Sequence, residues 1–97
     1  MSRYYNEAGQ PITQAEGLEL FGAFNNARVV ASDKRDDVHV STVHLVIDHS
    51  FGDGPPLIFE TMIFGGEHDQ YQERYSTREQ AEEGHRRALT LAFGDAA

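Results

Sequence analysis

Any chemistry in this chain would centre on the stretch His49-Ser-Phe-Gly-Asp-Gly-Pro-Pro-Leu-Ile-Phe-Glu-Thr-Met-Ile-Phe-Gly-Gly66, where a histidine, acids and glycine-rich turns flank an apolar run. Asp48, His49 and Ser50 have the residue types of an orienting carboxylate, a base and a nucleophile. Neighbours on an extended chain point to opposite faces, so these three cannot line up as a relay. No Gly-x-Ser-x-Gly elbow is present either. Gly52-Asp53-Gly54 has the glycines of an anion cradle, but a phosphate loop leads from a strand into a helix whose N-terminus faces the anion. Here Pro55 and Pro56 lead into another apolar run. Prolines at a strand's first residue and glycines for positive φ are what a wide hairpin needs. At about eight residues the loop is longer than an ordinary hairpin connection, and extra length often marks binding. His49, Phe51 and Asp53 are therefore its candidate contact residues.

Glu60 lies within the apolar run, with Ile58 and Met62 as same-face neighbours. An unpaired buried carboxylate is costly, so the expected partner is Arg74 on a neighbouring strand. A general acid would need a second tuned group beside it, and the sequence offers none. Without cysteine, disulfides and thiolate zinc sites are excluded. His49, Asp53, His68 and Asp69 could share a metal only if their two loops met. Loops flanking one strand lie at its opposite ends, about 25 Å apart over eight residues. Neither a metal nor a cofactor is expected. His44 shares a strand face with Val40, Thr42 and Val46 and reads as a hydrogen-bonded, partly buried histidine.

The elements that must position these groups follow from patterning. With 97 residues, 39% apolar and 25% charged, the chain reads as one folded domain, with residues 1–13 an N-terminal arm or short hairpin. Thr13 and Glu16 have capping-box spacing and open a helix with Ala15, Leu18, Phe21 and Phe24 on one stripe, ended by Asn25-Asn26. A strand over 27–31, a charged turn over 32–37 and a long strand over 38–48 follow. The long strand has Val43, Leu45 and Ile47 on one face and Val38, Val40, Thr42, His44 and Val46 on the other. Residues 57–64 pair with it, and the alternating tyrosines of 70–75 suit an edge strand. Ser76 and Glu79 repeat the capping spacing before a helix to about Phe93. Its stripe is Ala81, Ala88, Leu89 and Ala92, with Gly84 and His85 on or near it, and Gly94 is the stop.

The expected fold is thus α+β: a four-stranded antiparallel sheet in the order helix-β-β-β-β-helix, with both helices packed on one face. The other face keeps apolar groups, and the expected interface is Val38, Val40, His44 and Val46 or their alternates. A two-fold homodimer would cover it. The alternative cover is the N-terminal arm with Tyr4 and Tyr5.

Net charge is −8, from 16 acidic and 8 basic residues. Such a surface repels phosphates, so no nucleic-acid partner is expected, and steering slightly favours a basic protein. No apolar run approaches the roughly 18 residues of a membrane span, and Met1 to Tyr5 does not open a signal peptide. The reading is a cytoplasmic protein with no membrane partner.

The run Val40-Ser41-Thr42-Val43 through Asp48 to Gly52, then Pro55 to Gly66, resembles small proteins encoded by actinobacteria and their bacteriophages. Gln72 to Thr77, Gly84-His85 and the opening Asn6 to Thr13 extend the likeness over nearly the whole chain. The resemblance implies an accessory gene product in the host bacterial cytoplasm; it brings no activity, substrate or catalytic residue. The leading expectation is a noncatalytic phage or prophage accessory protein that binds another protein, such as one of the host, or itself as a homodimer. The alternatives are a small-ligand binder or enzyme using the His49 and Glu60 region, and a structural component of an oligomer.

Overall fold

The computed structural model describes residues 3–22, 28–50 and 54–94. β1 (Tyr4–Tyr5) and β2 (Pro11–Ile12) form a short antiparallel hairpin. Asn6 closes its turn, its side-chain oxygen accepting from the backbone N–H groups of Ala8 and Gln10. α1 (Gln14–Phe21) opens at the expected capping box. Thr13 Oγ1 accepts from Glu16 N at 3.1 Å and Glu16 Oε1 accepts from Thr13 N at 2.9 Å. Those bonds hold the Glu16 carboxyl below its ordinary value.

Ala15 and Leu18 of the expected α1 stripe do not turn inward. Ala15 is exposed and Leu18 is 54% exposed. The buried position is Gly17, with the Tyr4 ring packed against it. The cap is Gly22; Phe24 and Asn25-Asn26 lie outside the described residues.

β3 (Val29–Arg35), β4 (Val38–His44), β5 (Phe59–Phe64) and β6 (Gln72–Tyr75) make one antiparallel sheet in that order. α2 (Arg78–Phe93) packs against all four strands, while α1 leans on β1. The α+β class and the strand order are those read from the sequence.

Three boundaries differ from expectation. The charged residues 32–35 belong to β3, and the turn is only Asp36-Asp37, with Asp36 left-handed at φ 54°. Pairing with β4 overrides their poor strand propensity, and charge on an outer strand deters unwanted pairing. The ladder of β4 ends at His44 because Val46 is left-handed at φ 74°, rare for a β-branched residue. Contact with the next strand continues as separate bonds, Leu45 N to Ile58 O at 2.7 Å and His49 N to Leu57 O at 3.0 Å. Val46 O meanwhile accepts from Tyr5 N at 2.8 Å, anchoring the N-terminal arm. The cap of α2 is Thr77 with Gln80 rather than Ser76 with Glu79, and Gln80 Oε1 accepts from the N–H of both Ser76 and Thr77.

The core lies between the sheet and α2. Register puts Val40 opposite Ile63, Thr42 opposite Thr61 and His44 opposite Phe59, and all six are buried. Ala81, Gly84 and Ala88 are the small residues that α2 buries there, which lets the helix lie close.

This geometry corrects the expected interface. Val40, His44 and Val46 are 0%, 1% and 0% exposed, so they lie on the covered face rather than on an open one. Val38 is half-buried at the margin of the Val40, Ile63 and Ala88 cluster. The small-residue stripe of α2 selects this face because the large side chains of β4 and β5 fill the space it leaves. Tyr5 packs against the Ile58, Phe59, Tyr75 and Ala81 cluster, so the arm helps close the core. The opposite, open face carries His39, Ser41 and Val43 of β4, then Glu60, Met62 and Phe64 of β5, by alternation.

Candidate functional site

The long loop is tied at its mouth by Asp48. Its Oδ1 accepts from the backbone N–H of Ser50 at 2.8 Å and of Leu57 at 2.9 Å, bracketing the loop. Burial works to raise the Asp48 pKa, but these bonds and the neighbouring His49 outweigh it and hold the carboxyl below its ordinary value. Asp48 is therefore a clasp, and His49 stands exposed beside it. Phe51 and Asp53 lie outside the described residues.

Glu60 and Arg74 are directly opposed on β5 and β6. Glu60 Oε2 accepts from Arg74 Nε at 2.9 Å and from the Gln72 amide, so its charge is compensated on the open face. Among the described residues, Glu60 and Arg74 are brought together and His49 is not bonded to either.

The structure assembles a different constellation. His85 Nε2 lies 2.8 Å from Asp33 Oδ2, His85 Nδ1 lies 2.6 Å from Thr42 Oγ1, and Thr42 Oγ1 lies 2.5 Å from Thr61 Oγ1. With the Nε2 proton donated to the Asp33 carboxylate, Nδ1 accepts from the Thr42 hydroxyl. A hydroxyl, an imidazole and a carboxylate in series have the parts of a nucleophile relay. Thr42 and Thr61 are both 0% exposed, however, so no substrate carbonyl reaches the oxygen. The chain satisfies polar groups inside the core, where a lone donor or acceptor is costly. Only the inward phase of Thr42 and Thr61 and the place of His85 near the α2 stripe hinted at it. Asp33 read as part of a turn.

A second cluster surrounds Glu73, whose Oε1 accepts from Tyr75 Oη at 3.0 Å, Tyr71 Oη at 3.1 Å and an Arg87 guanidinium nitrogen at 3.2 Å. Burial opposes ionisation of Glu73, yet these donors hold its carboxyl below the ordinary value. Burial, joined by the bond to Glu73, pushes the Tyr75 hydroxyl up to about 12. Both tyrosines thus stay protonated and structural. His44 has its pKa lowered, chiefly by burial, and its Nε2 makes no hydrogen bond among the described residues.

A groove of about 400 Å³ lies between the outer strand β3 and the C-terminal half of α2. Leu89 and Phe93 supply apolar lining, and Lys34, Arg35, Arg86 and Asp33 the charge. The Arg35 guanidinium stacks 4.6 Å from the Phe93 ring centroid, a cation–π arrangement. Asp33 is already engaged by His85.

Three cations gather at this groove. Arg74, Arg78 and Arg87 each hold a carboxylate. Lys34, Arg35 and Arg86 hold none among the described residues, in a chain with 16 acids for 8 bases. No cluster of three His, Asp or Glu suited to a metal occurs among the described residues. Comparison with protein-family models, with curated proteins and with solved structures finds no match. The geometry of the groove therefore carries the functional argument.

Proposed function

We propose that this chain is a noncatalytic accessory protein that works by binding another protein through the groove between β3 and α2. The observation behind this reading is the set of three cations without carboxylate partners around Leu89 and Phe93 on an otherwise acidic molecule. Exposed cations beside apolar surface suit an acidic segment of a partner, since local contact with the cations fixes its register while burial of the apolar groups holds the complex. Nucleic acid is the poorer fit, because three cations against a net charge of −8 release few counterions. Against catalysis stand the inaccessible Thr42 and the compensated Glu60. The likeness to small actinobacterial and phage proteins supports a host protein as the partner and the bacterial cytoplasm as the setting. No helix among the described residues is long and apolar enough to cross a membrane.

The test compares the parent with a Lys34→Glu/Arg86→Glu variant, both exposed positions, after melting curves establish equal folding. Immobilised parent should retain a stoichiometric protein from actinobacterial lysate, and the purified pair should re-form. The variant should bind that purified protein at least about tenfold more weakly, the effect of losing roughly 1.4 kcal/mol. Equal affinity for both would remove the groove from the interface.

A further inference from the structure

We infer that the groove takes its partner as an added strand: an extended segment with acidic residues beside a large apolar side chain pairs with the free edge of β3. The inference rests on the groove being the contact surface and specifies how that contact is made. β3 is an end strand of the sheet, so its outer edge has no strand partner among the described residues. Alternate residues along such an edge leave both backbone N–H and C=O available, which is the template used when peptides add to sheets.

Register supports the point. Asp33 and Arg35 stand opposite Val40 and Val38, on the α2 side, whereas Lys34 stands opposite His39, on the open side. All three consecutive residues nevertheless line the groove. A cavity bounded by side chains on one sheet face would touch only alternate residues. Contact with three in a row brings backbone or edge atoms of β3 into the groove wall, where an added strand would lie.

The chemistry of the occupant follows from what each side meets. On the α2 side, an added strand places alternate side chains over Leu89 and Phe93 and beside Arg35 and Arg86. Glu or Asp followed at alternate positions by two apolar residues suits that face. On the open side the intervening residue meets Lys34, where a second acid fits. The β3 edge is poorly suited to a second copy of itself. A two-fold antiparallel pairing centred on Asp33, Lys34 or Arg35 opposes like charges at its centre, and one centred on Ala31 or Ser32 offers Lys34 and Arg35 no carboxylate. An acidic, apolar segment of a different protein is therefore the occupant.

The probe is a fluorescein-labelled, end-blocked peptide of sequence Gly-Glu-Glu-Leu-Glu-Val-Glu-Gly, titrated by anisotropy against the whole protein. Binding should weaken at least about fivefold with Arg86→Glu and fall steeply with added salt. N-methylation of the central Leu and Val nitrogens keeps every side chain and removes strand donors. It should weaken binding by roughly tenfold, the upper effect of one hydrogen bond. Hydrogen exchange at residues 32–35 should slow on saturation. A peptide with Lys in place of Glu should not bind. If the N-methylated peptide binds as well as the parent, or exchange at 32–35 is unchanged at saturation, strand addition is wrong. If the natural partner is still lost with Lys34→Glu/Arg86→Glu, the groove reading survives that failure. Absence of any binding by the unmodified peptide up to millimolar concentration also overturns the assignment of an acidic extended occupant.

Discussion

Gly84 sits in the middle of α2, where glycine is about 0.8–1.0 kcal/mol worse than alanine. Helix propensity alone therefore predicts that Gly84→Ala stabilises the protein by about that amount. The structure reverses the sign. A methyl group at this position would run into the hydroxyl and two ring carbons of Tyr75. That ring cannot swing aside freely, because Tyr75 is 5% exposed, packs with Ile58, Phe59 and Ala81, and donates to Glu73. Overpacking of a filled core costs about 1–3 kcal/mol, and displacing the Tyr75 hydroxyl adds about 1 kcal/mol. Against a gain of about 1 kcal/mol, the net loss is about 1–3 kcal/mol. For a domain of this size that lowers the melting temperature by roughly 5–20 °C. Urea unfolding followed by circular dichroism measures the change, and a double-mutant cycle isolates its cause. With Tyr75→Leu in the background, Gly84→Ala should become neutral or stabilising. A more stable Gly84→Ala protein, or an equal loss in both backgrounds, would refute the account of how α2 approaches the sheet.

The remaining expectations concern the buried polar groups and the two sheet faces. His44 has its pKa lowered by burial, so the unfolded chain takes up its proton first as pH falls, and folding stability declines from about pH 6.5 downward. Thermal melts between pH 7.5 and 5.5 should show that decline in the parent and a flatter profile in His44→Leu; parallel profiles would rule His44 out. Thr42→Val should cost about 1–3 kcal/mol because it strands His85 Nδ1 and the Thr61 hydroxyl inside the core, measurable by urea titration. A change within about 0.5 kcal/mol would mean that the relay is not formed. Val40→Glu should unfold the chain, since it buries a charge costing several kcal/mol, whereas Phe64→Glu, at a position 45% exposed, should leave the melt nearly unchanged. If light scattering finds a dimer, Phe64→Glu rather than Val40→Glu is the variant that should return a folded single chain.

Much of the scaffold was legible because its signals are local. Thr13 with Glu16 cannot satisfy each other except at a helix start, and Gly94 cannot easily continue one. The β-branched run from Val38 and the apolar run before Gly65 announce two adjoining strands. The Glu60 and Arg74 pair was readable because two strands separated by a short connection fix which residues face each other. The end of the β4 ladder was not readable, since nothing near Val46 signals a left-handed valine. That conformation is held by the bond from Tyr5 N, a contact from more than forty residues away. The same holds for residues 32–35, polar enough for a turn and kept in a strand by β4.

The site was less legible than the scaffold. His49 and Glu60 attract notice because each is a reactive type in an apolar context, yet Asp48 clasps a loop and Glu60 answers Arg74. The groove has no motif, because its parts come from a strand and a helix some fifty residues apart and are ordinary in either. Lys34, Arg35 and Arg86 acquire significance only once it is visible that Arg74, Arg78 and Arg87 hold carboxylates and these do not.

The sequence by itself determined the class of fold, the order of strands, both helix starts to within one residue and the excess of negative charge, since these signals are carried by residue types and short local patterns. It could not decide which face of the sheet α2 covers. Both faces of β4 carry apolar side chains, so alternation gives two equivalent answers. The tertiary structure decided it through volume. Ala81, Gly84 and Ala88 let α2 come close to Tyr75, and the inward set Val40, Thr42, His44, Phe59, Thr61 and Ile63 fills the space beneath. Close packing of that kind is a property of surfaces brought together from distant segments, and no local pattern contains it.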